Sequence, residues 1–472
     1  MSHTLLPFAV ETVANGRGVT ARAGAPLVLE TLLAFGMREL VAKHLHIQER
    51  KGDHTDFDKI SDLVLLLANG GDCVDDVRML HADEGLCCLL GRTPASAATL
   101  LQFLYDFHDE ALVSAAKVEA EKRERQAYIV EENAALLGLG KVCVELVRRV
   151  SKHLGLSKAT LDHDATIQES HKQQAKAHYK GGRGYQPAAV YWSEADLVIA
   201  DEYRDGNVGA GMENLPAIKR AFAALPKWIR EYYFRADSAC YDVTVLKWLA
   251  NERRDGGPQG SIGFTISADM TEKLRGVCET VPQEQWTALE ERDDETLCWA
   301  EVEFTPGDSW PKTAQPLRYL GIRIRKRQGE LFANGSDTKY LAVVTNRQGE
   351  GAKLIRWHWK KAGTIELVHD VMKNELGAGV PPSKWLGANA AWYRLSALTY
   401  NVLSALKSLA LRAEYGTARP KRLRAMVLTL PARIISHAGR LTVQLAEQAE
   451  KLAGIIEARH KLLMLTQEPA VA

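Results

Sequence analysis

From Ala25 to about Gln168 the apolar positions recur at helical spacing, in the segments Ala25–Leu45, Asp56–Leu67, Asp75–Leu90, Ser96–Glu110 and the long Glu132–Leu154. Asp56 or Asp58 is placed to cap the second of these, because a carboxylate accepts the orphan N–H groups of a first turn. Asn69–Gly71 reads as its stop, since both residue types tolerate left-handed backbone. Thr93-Pro-Ala-Ser marks a break and an N-cap before Ala97. Upstream, Leu5–Val13 reads as a short strand followed by a Gly-rich turn.

The texture changes near Lys158. Thr160, Asp162, Asp164 and Thr166 alternate with Leu161, His163, Ala165 and Ile167, the period of a strand. A basic, Gly-rich loop follows over His171–Gln186. Ala188–Tyr203 reads as two strands joined near Ser193–Asp196, and Arg204-Asp-Gly-Asn as a turn. Then come a helix at Leu215–Ala224, a strand at Glu231–Ala236 that runs into Asp237, a helix at Asp242–Arg253 and a strand at Ile262–Ile266. Strands alternating with helices predict a mixed α/β sheet. Residues 270–348 carry three further strand patterns, Trp299–Phe304, Leu317–Lys326 and Tyr340–Thr345, and read as a β-rich insertion. Within it Ile322 and Ile324 alternate with Arg323, Arg325 and Arg327, which predicts one apolar face and one line of guanidinium groups. Helical periodicity returns at Thr364–Leu376 and Asn389–Glu414, with a last long helix over Ile434–Leu465.

The 472 residues are long enough to bury a large core without disulfides or a structural metal. Apolar and charged fractions of 46% and 25% are those of a globular chain. No apolar run reaches the roughly 18 residues of a membrane-spanning helix, and no signal-peptide pattern opens the sequence, so a cytoplasmic protein with no membrane partner is expected. The seven cysteines are odd in number, irregularly spaced and free of any CxxC pair, which argues for reduced thiols rather than a disulfide framework or a zinc ribbon. Net charge is only +1, but it is unevenly spread. Residues 41–110 hold thirteen acids against six Lys/Arg; residues 141–190 hold nine Lys/Arg against four acids, and residues 401–472 eleven against five. Two basic stretches inside a neutral chain are the footprint of a polyanion or the solvated faces of helices.

Candidate chemistry lies in acids at the ends of elements. Asp164 is late in one strand, Asp237 ends another, and Glu366 is in the first turn of a helix. Taken singly, each reads equally as a cap, a turn residue or a surface ion pair. Taken together, three carboxylates from three elements need positive charge to meet. Magnesium or manganese supplies it through oxygen ligation, and two such ions suit in-line attack on a phosphodiester.

"LDHDAT", "YRDGNV", "RADSACYD" and "GTIELVHDVMKNEL…WLGANAAWYRLSALTYNVLSALK" together resemble the landmarks of bacterial insertion-sequence transposases with a DDE catalytic triad, of the IS-four and IS-thirteen-eighty types. "LLANGGDCVDDVRMLHADEGLCCLLG" and "SAATLLQFLYDF" are similar to the N-terminal region of that group. The resemblance implies an α/β fold: an RNase H-like mixed-sheet core with a β-rich insertion, preceded by an α-helical N-terminal module and followed by C-terminal helices. The expected division is 1–155 for the helical module (end recognition, dimerisation or both), 156–269 and 349–410 for the two parts of the core, 270–348 for the insertion and 411–472 for the C-terminal helical region. Carried over residue by residue, the catalytic and metal-binding acids are Asp164, Asp237 and Glu366. Asp162 competes with Asp164 one pleat away, and Glu375 and Asp370 are alternatives to Glu366. The family pattern Tyr-x2-Arg-x3-Glu-x6-Lys is met at Glu366 and Lys373; Trp359 stands at the Tyr position and Ala362 at the Arg position, with Lys361 beside it.

What the resemblance implies is a DNA transposase holding Mg2+ or Mn2+, with two ions expected. Hydrolysis at the transposon end leaves a 3′-hydroxyl, which attacks target DNA at the same site. The partners are double-stranded DNA (terminal inverted repeats and target) and a second copy of the chain. Expected DNA contacts are Lys373, Lys172, Lys176, Lys180, Arg183, Arg323, Arg325 and Arg327, with Arg235 either touching phosphate or balancing the acids. Gly181, Gly182 and Gly184 are read as allowing close approach to DNA. Trp299, Trp310, Trp357 and Trp359 either stack an unpaired base or pack the core. Competing functions are a metal-dependent nuclease on the same core, a transposase-derived DNA-binding protein without catalysis, and an α/β enzyme on small phosphoesters.

Overall fold

The computed structural model describes residues 18–47, 53–306, 310, 316–327, 331–333, 335–445 and 449–467. The expected strand at Leu5–Val13 lies outside them. The chain divides into two compact units, one of residues 1–103, 375–377 and 402–472, the other of 104–374 and 378–401. Residues 104–155, grouped by sequence reading with the N-terminal helices, are in the same unit as the sheet.

That sheet has nine strands: β1 (Lys158–Ala165), β2 (Ala188–Trp192), β3 (Leu197–Glu202), β4 (Glu231–Ala236), β5 (Ile262–Ser267), β6 (Thr287–Glu291), β7 (Glu295–Val302), β8 (Arg318–Lys326) and β9 (Thr338–Thr345). Their order is β6-β7-β8-β9-β5-β4-β1-β2-β3. β4 runs parallel to β1 and β5 parallel to β4, while β2 and β3 are antiparallel neighbours. The sub-order β3-β2-β1-β4-β5 with these directions is that of an RNase H-like sheet. β9 pairs antiparallel with β5, so the insertion extends the core sheet rather than standing apart from it. One face of this extension is packed by helix Gly351–Trp359, through Ile322, Ile324, Leu297, Leu354 and Ile355.

The long helix Ala134–His153 is capped by Asn133, whose side chain accepts from Leu136 N–H, and it buries Leu139, Val142, Leu146 and Val150 along one stripe. Past its exposed first residue, Lys158, strand β1 is buried from Ala159 through His163 and opens again at Asp164 and Ala165. This is why its far end, and not its middle, is available for chemistry.

In the other unit, helix Asp56–Ala68 is capped by Thr55, and Asp58 closes the capping box as its reciprocal partner. The helix stops at Asn69, followed by Gly70 at φ +92°. The expected helix over Ile434–Leu465 is not one element. Ala432–His437 and Arg440–Leu445 form a hairpin, with Val19–Thr20 as the third strand of a small sheet, and a helix follows at Ala449–Gln467. The cause is the turn: Ala438 and Gly439 both take positive φ, +48° and +74°, the geometry that a two-residue hairpin requires. Among the described residues, no helix is long and apolar enough to cross a membrane.

Candidate active site

The register of the two central parallel strands sets the site. His163 is paired with Ala236, so the next residues along, Asp164 and Asp237, leave adjoining strands side by side. Asp237 is fixed at once by its own turn, its carboxylate accepting from Ala239 N–H at 3.1 Å. Glu366 comes from elsewhere in the sequence, in the first turn of helix Ile365–Glu375. The 3₁₀ turn Lys360–Gly363 precedes that helix and carries Lys361. The Lys361 ammonium lies 3.3 Å from Asp164 Oδ1 and 3.8 Å from Glu366 Oε1. Lys361 is itself buried, at 6% exposure.

Burial pushes the carboxyls of Asp164 and Asp237 above the usual range. Glu366 adds to the push on Asp164 and Asp164 to that on Asp237, while Lys361 pulls both back. Carboxylates that share a buried site stay ionised only where a cation compensates them. His369 lies one turn beyond Glu366, with Nε2 3.9 Å from Asp164 Oδ2. Burial drives its pKa down to about 3, so the ring is neutral near pH 7 and supplies no charge.

Asp162, one pleat before Asp164, is in a different situation. It is fully buried and takes Arg235 in a bidentate pair, Nε to Oδ1 at 2.6 Å and Nη2 to Oδ2 at 2.7 Å. Ser193 and Thr364 each donate to Oδ2 at 2.6 Å. Arg235 also donates to Trp357 O at 2.9 Å. The network therefore ties β1 and β4 to the β2–β3 turn, to the end of helix Gly351–Trp359 and to the turn that carries Lys361. Arg235 is 3% exposed and spends its guanidinium on Asp162, outside the Asp164–Asp237–Glu366 group. The oxygens of Asp162 are saturated, which leaves Asp164 as the acid on this strand with room for another cation.

A family model for transposase DDE domain group 1 matches residues 5–466. The chain belongs to this family of DDE transposases. It is therefore a DNA transposase, an enzyme that hydrolyses and re-forms phosphodiester bonds, and divalent metal is the cofactor of the class. No curated protein matches the sequence. Among solved structures, a cryo-EM structure of the piggyBac transposase synaptic complex with hairpin DNA is similar at 12% identity and a TM-score of 0.42, over 88% of this chain and 82% of that one.

Among the described residues of the transposase, no three His, Cys, Asp or Glu side chains converge tightly enough to hold a metal ion as they stand. The chemistry of the donor set nonetheless fits one. Asp164, Asp237 and Glu366 are hard oxygen donors, and Lys361 already sets a positive charge against two of them. The alternatives to Glu366 are engaged elsewhere. Glu375 accepts from Arg419 at 2.6 Å and from Lys421 N–H at 2.7 Å, and Asp370 accepts from Asn374 at 2.6 Å.

Lys373 donates to Ile167 O at 2.8 Å, just past the end of β1. The basic segment after β1 is structured. Gln168–Glu169, Lys176–Ala177 and Arg183–Tyr185 form a three-stranded sheet, and Arg183 braces it through Ala175 O and Gln173 O. Gly184 is required by this sheet and not by DNA, because a Cβ there would meet Gln168 O at 2.2 Å. Lys176, Lys180 and Arg183 are exposed and Lys172 half-buried. The expected line of three arginines on β8 is broken. Arg323 is buried over the Trp286 ring, 4.4 Å from its centroid, and donates to Gln283; only Arg325 and Arg327 face solvent. The Trp357 ring takes the guanidinium groups of Arg347 and Arg235, at 4.2 and 5.0 Å from its centroid, and Trp299 and Trp359 pack against the insertion core.

Sequence reasoning does not single out Lys361, Thr364 or His369. For Lys361 the signal is present, since it adjoins Ala362 at the position where the family pattern has its cation. Thr364 and His369 join the site only through the packing of helix Ile365–Glu375 and give none.

Proposed function

We propose that Asp164, Asp237 and Glu366 are the catalytic acids of an insertion-sequence transposase and together hold two Mg2+ or Mn2+ ions. The observation that carries this reading is the Lys361 ammonium, which lies against Asp164 and Glu366, with Asp237 on the adjoining strand. Bound there, divalent ions supply charge compensation and Lewis acidity for in-line displacement at phosphorus. The chain's own part is positional. The parallel β1–β4 pair sets two acids side by side, and the Asp162–Arg235 network fixes the turn from which the third arises. Glu366 is largely exposed and so has rotational freedom to close on the other two. Cleavage frees a 3′-hydroxyl at the transposon end, which then attacks target DNA in the same pocket.

DNA is held by Lys176, Lys180 and Arg183 on the small sheet, by Arg325 and Arg327 at the end of β8, and by Lys172 and Lys373 nearer the acids. Two copies act across the two transposon ends, and the helical N-terminal region serves end recognition, dimerisation or both. The enzyme works on bacterial DNA in the cytoplasm.

Incubation of terminal-repeat DNA with Mg2+ tests the assignment. Asp164→Ala, Asp237→Ala and Glu366→Ala are each expected to lower cleavage by more than about 100-fold, the scale reached even by partners one layer outside a metal's ligands. DNA binding and melting temperature should stay near the parent values. Near-normal cleavage by any of the three ends the assignment. For the basic sheet, the measurement is affinity against salt. Replacing Lys176 and Lys180 with Ala should weaken binding to all sequences alike and flatten the log–log salt slope by about 2, roughly one unit for each phosphate no longer neutralised. An unchanged slope removes these lysines from the interface.

A further inference from the structure

We propose that Lys361 is a built-in occupant of the cation position: in the metal-free protein its ammonium bridges Asp164 and Glu366, and a divalent ion gains those oxygens only by displacing it. The inference rests on the assignment of the triad and goes beyond it. A lysine buried to 6% exposure is unusual, and its ammonium is paired with two acids that come from different elements. It also acts on the third acid, since its charge pulls the Asp237 carboxyl down against burial.

The backbone beneath it is clamped. Thr364 Oγ1 shares its one proton between Asp162 Oδ2 at 2.6 Å and Lys361 O at 2.9 Å, and Arg235 fixes Trp357 O at the end of the preceding helix. The turn is thus pinned by the buried network, while the four-carbon stem of the lysine keeps its own rotations. One monovalent ammonium leaves three carboxylates under-compensated, so a divalent ion has the stronger claim on the same oxygens. The ammonium therefore lowers apparent metal affinity, and until metal arrives it keeps Asp164 and Glu366 from driving each other apart. His369 does not fill this role, because its buried ring is neutral and 3.9 Å from Asp164.

The test uses the full-length chain without DNA and Mn2+ as the probe, with free Mn2+ read by electron paramagnetic resonance. Lys361→Met, and Lys361→Gln as an independent polar replacement, are expected to tighten Mn2+ binding by about ten-fold or more, the scale of one charge-assisted hydrogen bond that the metal no longer has to break. Equal or weaker binding in the folded variants overturns the proposal. A second measurement needs no variant. Pulsed acetylation read by mass spectrometry should label Lys361 poorly in the metal-free protein and more strongly at saturating Mn2+; equal labelling in the two states overturns it. Asp164→Ala separates this idea from the triad on which it stands. If Mn2+ binding survives that substitution, the triad assignment falls and takes this one with it. If binding is lost there but unchanged in Lys361→Met, the role of Lys361 alone is removed.

Discussion

Asp162 and Asp164 lie on the same face of the same strand, two residues apart, and the molecule treats them in opposite ways. Asp162 is sealed. Arg235, Ser193 and Thr364 occupy its oxygens, and the resulting knot joins two strands, a turn and two helices. Asp164 is left with one ammonium, a neutral histidine ring at 3.9 Å and two acidic neighbours, at the half-buried C-terminal end of β1. A guanidinium grips a carboxylate with a rigid two-pronged fork, whereas an ammonium on a flexible stem only neutralises it. The contrast separates an acid that builds the scaffold from an acid that is kept available.

The largest effect follows from breaking the sealed side. Removing one partner of a buried ion pair strands the other charge, and Asp162→Ala or Arg235→Met should each lower unfolding free energy by about 3–5 kcal/mol, measured by denaturant titration. Asp164→Ala in the same assay should change it by far less. The double variant Asp162→Leu/Arg235→Met should recover much of the loss, because well-packed apolar groups replace the pair without leaving a bare charge. If Asp162→Ala is as benign as Asp164→Ala, the distinction between the two acids fails.

A smaller effect, of opposite sign, is expected on the open side. Asp237 has a folded-state pKa raised by burial and by Asp164, so its ionisation works against the fold. A carboxyl raised in this way contributes stability below its unfolded pKa and loses that contribution as pH rises through the folded value. At pH 7 without metal, Asp237→Asn should therefore gain about 1 kcal/mol while abolishing cleavage, the trade expected of a strained site. Added Mg2+ should stabilise the parent protein more than the variant. A variant less stable than the parent in metal-free buffer at pH 7 would contradict the account of the pocket as an unbalanced acidic cluster.

How much of this is legible in the sequence differs between fold and site. The strand patterns give Glu231–Ala236 and Ile262–Ser267 nearly to the residue; the first closes at Asp237 and the second lies between Gly260 and Asp269. The period at Ile434–Leu465 misleads, since a helical spacing of apolar residues carries through a hairpin whose turn depends on backbone dihedrals at Ala438 and Gly439. Asp162 and Asp164 are equivalent in strand phase, and in sequence only the family's Asp-x-Thr pattern, met at Asp164-Ala165-Thr166, favours the second. The physical difference is the partner across the sheet, and Arg235 is 73 residues from Asp162. Arg323 and Arg325 share one face of β8 by phase, with Arg327 just past its end, but burial of Arg323 over Trp286 depends on a segment beyond the strand's own pattern.

The finest test asks whether a raised carboxyl pKa by itself marks the open site. Asp205, in the Arg204-Asp-Gly-Asn turn, is pushed up to about 6 by burial, with Lys176 pulling modestly the other way. No second carboxylate is among the causes of its shift. Its folded pKa exceeds its unfolded one, so its favourable contribution is complete below about pH 4 and is lost as pH rises through about 6. Asp205→Asn should then be more stable than the parent at pH 7–8 by about 1 kcal/mol, with the gain shrinking on acidification and gone near pH 4. Unlike the gain from Asp237→Asn, this one should be the same with and without Mg2+, because no other acid shares the charge. If the stability gain of Asp205→Asn also depends on Mg2+, the metal response does not belong to the cluster around Lys361. If the gain is flat across pH, burial is not what holds the Asp205 proton. Either result would leave the separation of sealed and open acids resting on Arg235 and Lys361 alone.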